Sequence, residues 1–459
     1  MKDLTQGSVL RQLLNLSAFM LIGMLVQTLY AIIDMFWAGR LGPEAVAAVT
    51  TSSIAMMIAF AATNMLSTGT NALVAQAVGR RDYSAAHYWF NQALGLGIVM
   101  MLVTEFIGVL LEGAYARAFA ADAETARQTV AFLYWFVPAM GLQFPIAAAG
   151  SALRGTGNIR PGTIMQISTV VLNMILAPVL IFGWYSPLPP MGVAGGALAT
   201  LLASLAGALG LMAYFSRSRT FLRVNLRDWR PVLSECWSIV KIGLPSAAEV
   251  ALMSIYMLFV TAVLKPFGAV EQAAFGIGQR MMQTGMMPAM AISFAASAVA
   301  GQNYGARLPE RVRATFGATL KLTLSMTGTA ALIGLSFPHA LMSVFTSDPA
   351  VIAGGVDYLG ILSFNLLAVA IAMSCFGVLS GLGNTMPTLI SSAARITIII
   401  APVSWLTTVP GFRPMWLWEM SLCGTVAQVV LNFYFLRREL DRKLGARAPA
   451  IVPGVEPAE

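Results

Sequence analysis

Acidic residues are scarce in this chain, and a few of them stand where water is scarce too. The run LLNLSAFMLIGMLVQTLYAIIDMFWAGR, residues 13–40, is uncharged for 21 residues and then carries Asp34. At about 1.5 Å rise per residue such a run crosses a hydrocarbon core roughly 30 Å thick. Asp34 then lies inside the core, about two turns before Arg40. An ionised aspartate at the centre of a spanning helix costs about 2.5 to 3.5 kcal/mol. Acids kept at that cost face a cavity and bind an ion, a proton or a substrate; the plainer reading is that Asp34 reaches interfacial water or Arg40. Glu105 and Glu249 raise the same question. Glu105 has no partner in sequence, and a buried, hydrogen-bonded acid is its simpler explanation. Glu249 follows Lys241 closely in KIGLPSAAEVALMS, so an acid at a helix N-terminus, favoured by the helix dipole, is as reasonable as a functional role. A membrane-embedded enzyme would need paired acids, a histidine cluster or a Ser/Lys constellation at depth. Only His87 and His339 occur, and Cys236, Cys375 and Cys423 are scattered, without disulfide or metal spacing. No GxxxxGK loop for ATP is present, so any work must draw on an ion gradient or a partner.

The elements that position these acids are apolar helices. With 58% hydrophobic and 10% charged residues, the chain departs from soluble globules, where about a quarter of residues are charged. The uncharged stretches exceed the roughly 20 residues a spanning helix needs, whereas barrel strands are about ten residues long and alternate in polarity. An all-α integral membrane protein with twelve transmembrane helices is predicted, with spans near 12–39, 45–77, 88–111, 128–152, 161–184, 191–215, 242–264, 272–303, 314–344, 354–380, 387–408 and 415–436. The first apolar run is too long for a signal h-region and is expected to stay in the mature protein. The organisation is an N-terminal six-helix lobe over 1–215, a connector over 216–241, a C-terminal six-helix lobe over 242–436 and a basic tail over 437–459 that reads as disordered. Positive charge fixes orientation, since cytoplasmic loops retain Lys and Arg. With the N-terminus inside, the inner loops hold Lys2, Arg80, Arg81, Arg154, Arg160, Arg219, Arg223, Arg227, Arg307, Arg311 and the tail cations including Arg447, against Arg40, Arg117, Arg127, Lys265 and Arg413 outside. Both termini are expected in the cytoplasm. The basic excess is therefore an orientation signal and an affinity for anionic lipid, and nucleic acid is excluded as a partner.

A repeat at a constant offset of 226 residues runs along both halves. Gln76, Gly79 and Arg81 pair with Gln302, Gly305 and Arg307. Gly155, Gly157, Asn158 and Pro161 pair with Gly381, Gly383, Asn384 and Pro387. Each half has an even number of spans, so the repeats are parallel, related by an axis along the membrane normal. Two lobes that rock about a central cavity are an established transporter plan.

The stretches VQTLYAIIDMFWAGRLG (26–42), ALVAQAVGRRDYSAA (72–86), LRGTGNIRP (153–161), LNMILAPVLIFG (172–183), AAFGIGQRMMQTGMMPA (273–289), GQNYGA (301–306) and SGLGNTMP (380–387) together resemble the multidrug and toxic compound extrusion (MATE) family, closest to its bacterial DinF-like side. The resemblance implies a V-shaped twelve-helix monomer in the bacterial inner membrane, exporting cationic amphiphilic drugs in exchange for H⁺ or Na⁺, with no cofactor. Asp34 matches the family's first-span aspartate, Asn173 the fifth-span asparagine of the same cation-linked site, and Thr200 a sixth-span threonine lining it. If Na⁺ binds, Asp34 and Asn173 are its expected ligands. The chain departs from the family at Ala177, Ala31 and Phe19, where a second acid, an asparagine and a proline are usual. The tenth span carries no acid, so Glu249, with Glu105, is at most a second acidic site. Arg280 is a possible neutraliser of either deep acid. Gln27, Tyr30, Met282, Met286 and Met290 are the expected substrate-cavity residues, because flexible thioethers accept varied apolar ligands. A lipid-linked saccharide flippase of related architecture is the alternative, and it would call for more basic residues in the spans.

Overall fold

Long apolar segments capped by short polar signals make up nearly all of the computed structural model, which describes residues 3–184, 189–217, 221–225 and 228–444. Lys2, Arg219, Arg227, Arg447 and the tail beyond Leu444 lie outside the described residues. The helices are α1 (Val9–Leu41), α2 (Pro43–Gly79), α3 (Tyr83–Phe119), α4 (Ala123–Gly155), α5 (Arg160–Phe182), α6 (Val193–Arg217), α7 (Leu233–Leu264), α8 (Ala269–Gly305), α9 (Pro309–Ser336), the short α10 (Pro338–Ser343), α11 (Pro349–Gly381), α12 (Met386–Leu406) and α13 (Pro414–Leu444). Among the described residues twelve of these are long and apolar enough to cross a membrane, and no strand occurs.

Local chemistry sets the helix starts. Ser8, Asp82, Asp122 and Asp348 each accept a hydrogen bond from a first-turn backbone N–H, and Pro43, Pro309 and Pro349 occupy first-turn positions where no N–H is missed. The helix ends explain the repeated motifs. After α4, Gly157 adopts φ 73°, and Gly157 and Asn158 donate to the carbonyls of Arg154 and Leu153 at 2.9 and 3.1 Å. After α11, Gly383 adopts φ 75° and the equivalent bonds are 2.9 and 3.0 Å. These are left-handed caps that a side chain would strain. Arg81 and Arg307, at φ 59° and 58°, end α2 and α8 in the same way. The repeat signature is thus a set of helix C-caps, all on the face that bears the start of α1, here called the terminal face.

The helix packing repeats as well. In the first lobe α4 packs on α2, α3 and α6, and α5 on α6; in the second α11 packs on α8, α9 and α13, and α12 on α13. Across the lobes α1 packs on α8 while α7 packs on α2, so the first span of each half crosses to the second span of the other. Between the lobes α2 also packs on α8, and that contact needs glycine. A Cβ on Gly79 would stand 2.0 Å from the Gln302 carbonyl oxygen, and one on Gly305 would stand 2.1 Å from that of Gln76.

Two expectations change here. α7 begins at Leu233, because LSECWSIVK continues the helix with Lys241 on an exposed face, so nine residues read as connector are helical. What precedes α7 is no loose tether: Gln92 donates to the carbonyls of Asp228 and Arg230 at 2.8 and 3.1 Å and accepts from Val232 N at 2.9 Å. Trp418, whose position near the start of the predicted span 415–436 reads as that of an interfacial anchor, is instead buried and stacked on Phe275 at 5.5 Å.

Candidate functional site

A cavity of about 450 Å³ lies in the first lobe and is lined by α1, α2, α4, α5 and α6, with Phe294 and Ser297 of α8 and Ser380 of α11 at its junction with the second lobe. Its walls carry amides and hydroxyls: Gln27, Asn64, Asn71, Gln143, Gln166, Asn173 and Thr200 line it beside Met20, Met24 and Phe60. The expected first-lobe group comes together. Asn173, buried, donates to Thr200 Oγ1 at 3.0 Å, and the Tyr30 hydroxyl lies 3.1 Å from the same oxygen. Thr200 donates its own proton to the Gly196 carbonyl at 3.1 Å, so its oxygen accepts from both neighbours.

Asp34 is one turn beyond Tyr30 on α1, half-buried, with no hydrogen-bond or ion-pair partner among the described residues. It is not among the residues lining the cavity. It adjoins the Tyr30–Thr200–Asn173 set, at the end of the site away from the terminal face. Ala177 is buried in an apolar cluster with Leu180, Ile181 and Ala199, against Trp37. Where the family usually has a second acid, this chain has hydrocarbon. Among the described residues no three His, Cys, Asp or Glu side chains gather as metal ligands.

The remaining candidates are placed elsewhere. Met282 is buried in the second lobe's core with Met281 and Met286 against it, and Met282, Met286 and Met290 do not line the cavity; Met20 and Met24 do. Glu105 sits on α3 between strongly exposed apolar residues such as Phe106, away from the cavity. Arg280 is exposed and pairs with neither Asp34 nor Glu249 among the described residues. Glu249 is not at a helix N-terminus: with α7 starting at Leu233, it stands more than about four turns inside. There it accepts the Ser392 hydroxyl at 2.8 Å, and Ser392 accepts Gln428 Nε2 at 2.9 Å. Arg395, one turn along α12, lies over the Tyr256 ring at 5.7 Å with its Nε unpartnered. Tyr256 meets Ser421 at 3.1 Å, repeating the Tyr30–Thr200 contact in the other lobe. A span-by-span search for single acids does not reveal this cluster, because its partners come from α12 and α13.

Among the described residues Arg154 is the one charged residue lining the cavity. It belongs to the last turn of α4 rather than to a loop, and the carbonyl end of the helix dipole favours a cation there.

Comparison with known proteins follows this geometry. The MatE family matches residues 20–179 and 245–406, the two lobes in register. A multidrug export protein MepA from Staphylococcus haemolyticus is 24% identical over 443 residues, covering 95% of each chain. A probable multidrug resistance protein NorM from Thermotoga maritima is 29% identical over 392 residues, covering 83% of this chain and 82% of that one. The fold is shared with an outward-facing multidrug resistance MATE transporter of the MOP superfamily, at TM-score 0.88 and 22% identity over 97% of this chain and 99% of that one. It is shared too with a MOP superfamily transporter from Pyrococcus furiosus, at TM-score 0.87 and 23% identity over 96% and 98%. The chain belongs to the MatE family, the multidrug and toxic compound extrusion proteins, which are transporters and not enzymes.

Proposed function

We propose that this protein is a monomeric secondary antiporter of a bacterial cytoplasmic membrane that exports cationic amphiphilic compounds in exchange for inward H⁺ or Na⁺. The observation that carries the reading is Asp34: a carboxylate in a spanning helix with no basic partner among the described residues, beside the Tyr30–Thr200–Asn173 set. Ionised, it attracts the coupling ion or the positive end of a drug; neutralised by a proton, it lets that charge go. One group that holds either proton or drug, but not both, makes the two fluxes exchange. Ala177 supplies no second carboxylate beside Asp34, so a metal ion here would meet a single anionic ligand, which favours H⁺ over Na⁺. The names of the relatives support drugs as cargo, and the amide and thioether lining suits varied amphiphiles. The basic loops support a cytoplasmic terminal face. A lipid-linked saccharide flippase would call for a strongly basic cavity, and among the described residues Arg154 is the single charge lining this one. Purified protein in liposomes, given separately imposed H⁺ and Na⁺ gradients and a cationic dye, is expected to move dye against its gradient when H⁺ is supplied. Transport that follows neither gradient would end the antiport reading.

A further inference from the structure

We propose that residues 3–8 form a strap that holds the two lobes shut at the terminal face and must leave its groove before the cavity can open there. Leu4 precedes the first span, yet it is fully buried. It packs in a cluster built from both lobes, with Leu13 of α1 and Ile159 before α5 on one side and Ala295 and Val299 of α8 on the other. Its backbone is read by side chains of the second lobe. Leu4 N donates to Gln302 Oε1 at 3.1 Å, and the Leu4 carbonyl accepts from Asn303 Nδ2 and Arg311 Nη2, each at 3.2 Å. Arg311 also donates to the Gly7 carbonyl at 3.0 Å and to Asn303 Oδ1 at 2.8 Å. An arginine fork committed to two strap carbonyls and a buried amide is directional recognition, not incidental packing.

Gln302 ties the strap to the closed interface itself. While its oxygen holds Leu4, its Nε2 donates to the Gly155 carbonyl of α4 at 2.8 Å, so one amide binds strap, first lobe and second lobe together. Asp3 lies near Arg81 of the first lobe and Arg311 of the second; the Thr5 hydroxyl, helped by the Thr5 N–H and these arginines, holds its carboxyl below the usual aspartate range. The repeat supplies an internal comparison. The segment before α7 is likewise clasped to the opposite lobe, through Gln92 of α3. Gln6, Gly7 and Ser8 are exposed. The first strap can therefore be released by breaking a few hydrogen bonds and one apolar contact.

The test reads lobe separation and needs no transport, so it is independent of the coupling ion and of Asp34. Spin labels at Arg80→Cys and Glu310→Cys, with exposed Cys423 replaced by serine, report the gap across the terminal face in lipid bilayers. In the parent the short distance dominates. Deleting residues 2–7, which leaves the Ser8 cap in place, and substituting Arg311→Gln are each expected to raise the long-to-short ratio about five- to thirty-fold, the change that losing a small cluster of contacts produces. Arg311→Gln keeps the whole segment and decides the matter if the deletion fails to fold. Unchanged distance distributions in a folded Arg311→Gln variant would overturn the proposal.

Discussion

Thr200 is the residue on which the first-lobe site turns, because a single hydroxyl oxygen accepts from both Asn173 and Tyr30. Thr200→Val keeps the shape and removes the acceptor, leaving the buried Asn173 amide without that partner. It is expected to destabilise the protein by about 1–3 kcal/mol, read as a lowered melting temperature in detergent, and Thr200→Ser should restore most of the loss. Equal melting of the valine and serine variants would show that the bond contributes little. Asp34, Asn173, Gln27 and Tyr30 could be picked out in the sequence because they fall in motif stretches with a recognisable register, and Thr200 by its place in GGALATLLAS on the sixth span. Arg154 could not, since an arginine at a span end looks the same whether it faces a loop or a cavity. The methionines at 282, 286 and 290 share one helix face, but periodicity does not say whether that face meets a cavity or the lobe's core, and here Met282 meets the core.

At the scale of the helices, the decisive contacts are backbone against backbone. Gly79 and Gly305 let α2 and α8 approach until each would-be Cβ meets a carbonyl oxygen of the other helix. Gly305→Ala is expected to cost about 1–3 kcal/mol through overpacking and to widen the gap at the terminal face; the same spin-label pair and a thermal melt would show both. An unchanged melt would mean the crossing relaxes freely. The repeated glycines were legible as a pattern in the sequence, but not as helix caps and a helix crossing, because a constant offset gives correspondence and not contact. The start of α7 was misplaced for a related reason: Lys241 marks a charge, and a charge on an exposed helix face does not end a helix. Since the chain before α7 is bound to α3, separately expressed halves should reassemble more efficiently when split near residue 218, which leaves the clasp on the second half to redock, than when residues 221–232 are deleted. Equal recovery of transport would return the connector to a passive tether.

For the whole molecule, the twelve spans and the two-lobe repeat followed from composition and offset alone, because a bilayer permits few solutions to so many uncharged stretches. Orientation rests on the loop charges. Single cysteines replacing Arg223 and Arg413, in the Cys423→Ser background, should react with an impermeant reagent from opposite faces, and labelling from one face would break the arrangement. How cavity, acid and lobes act together is tested most directly at Asp34. The full-length Asp34→Asn protein, reconstituted beside the parent, keeps the shape and loses the titratable charge. It should insert, fold and still bind a cationic dye through the apolar lining, while dye movement driven by an imposed H⁺ gradient falls to the level of empty liposomes and the pH dependence of binding disappears. Gradient-driven transport at the parental rate with the parental pH response would contradict the account and move the coupling role to the Glu249 cluster.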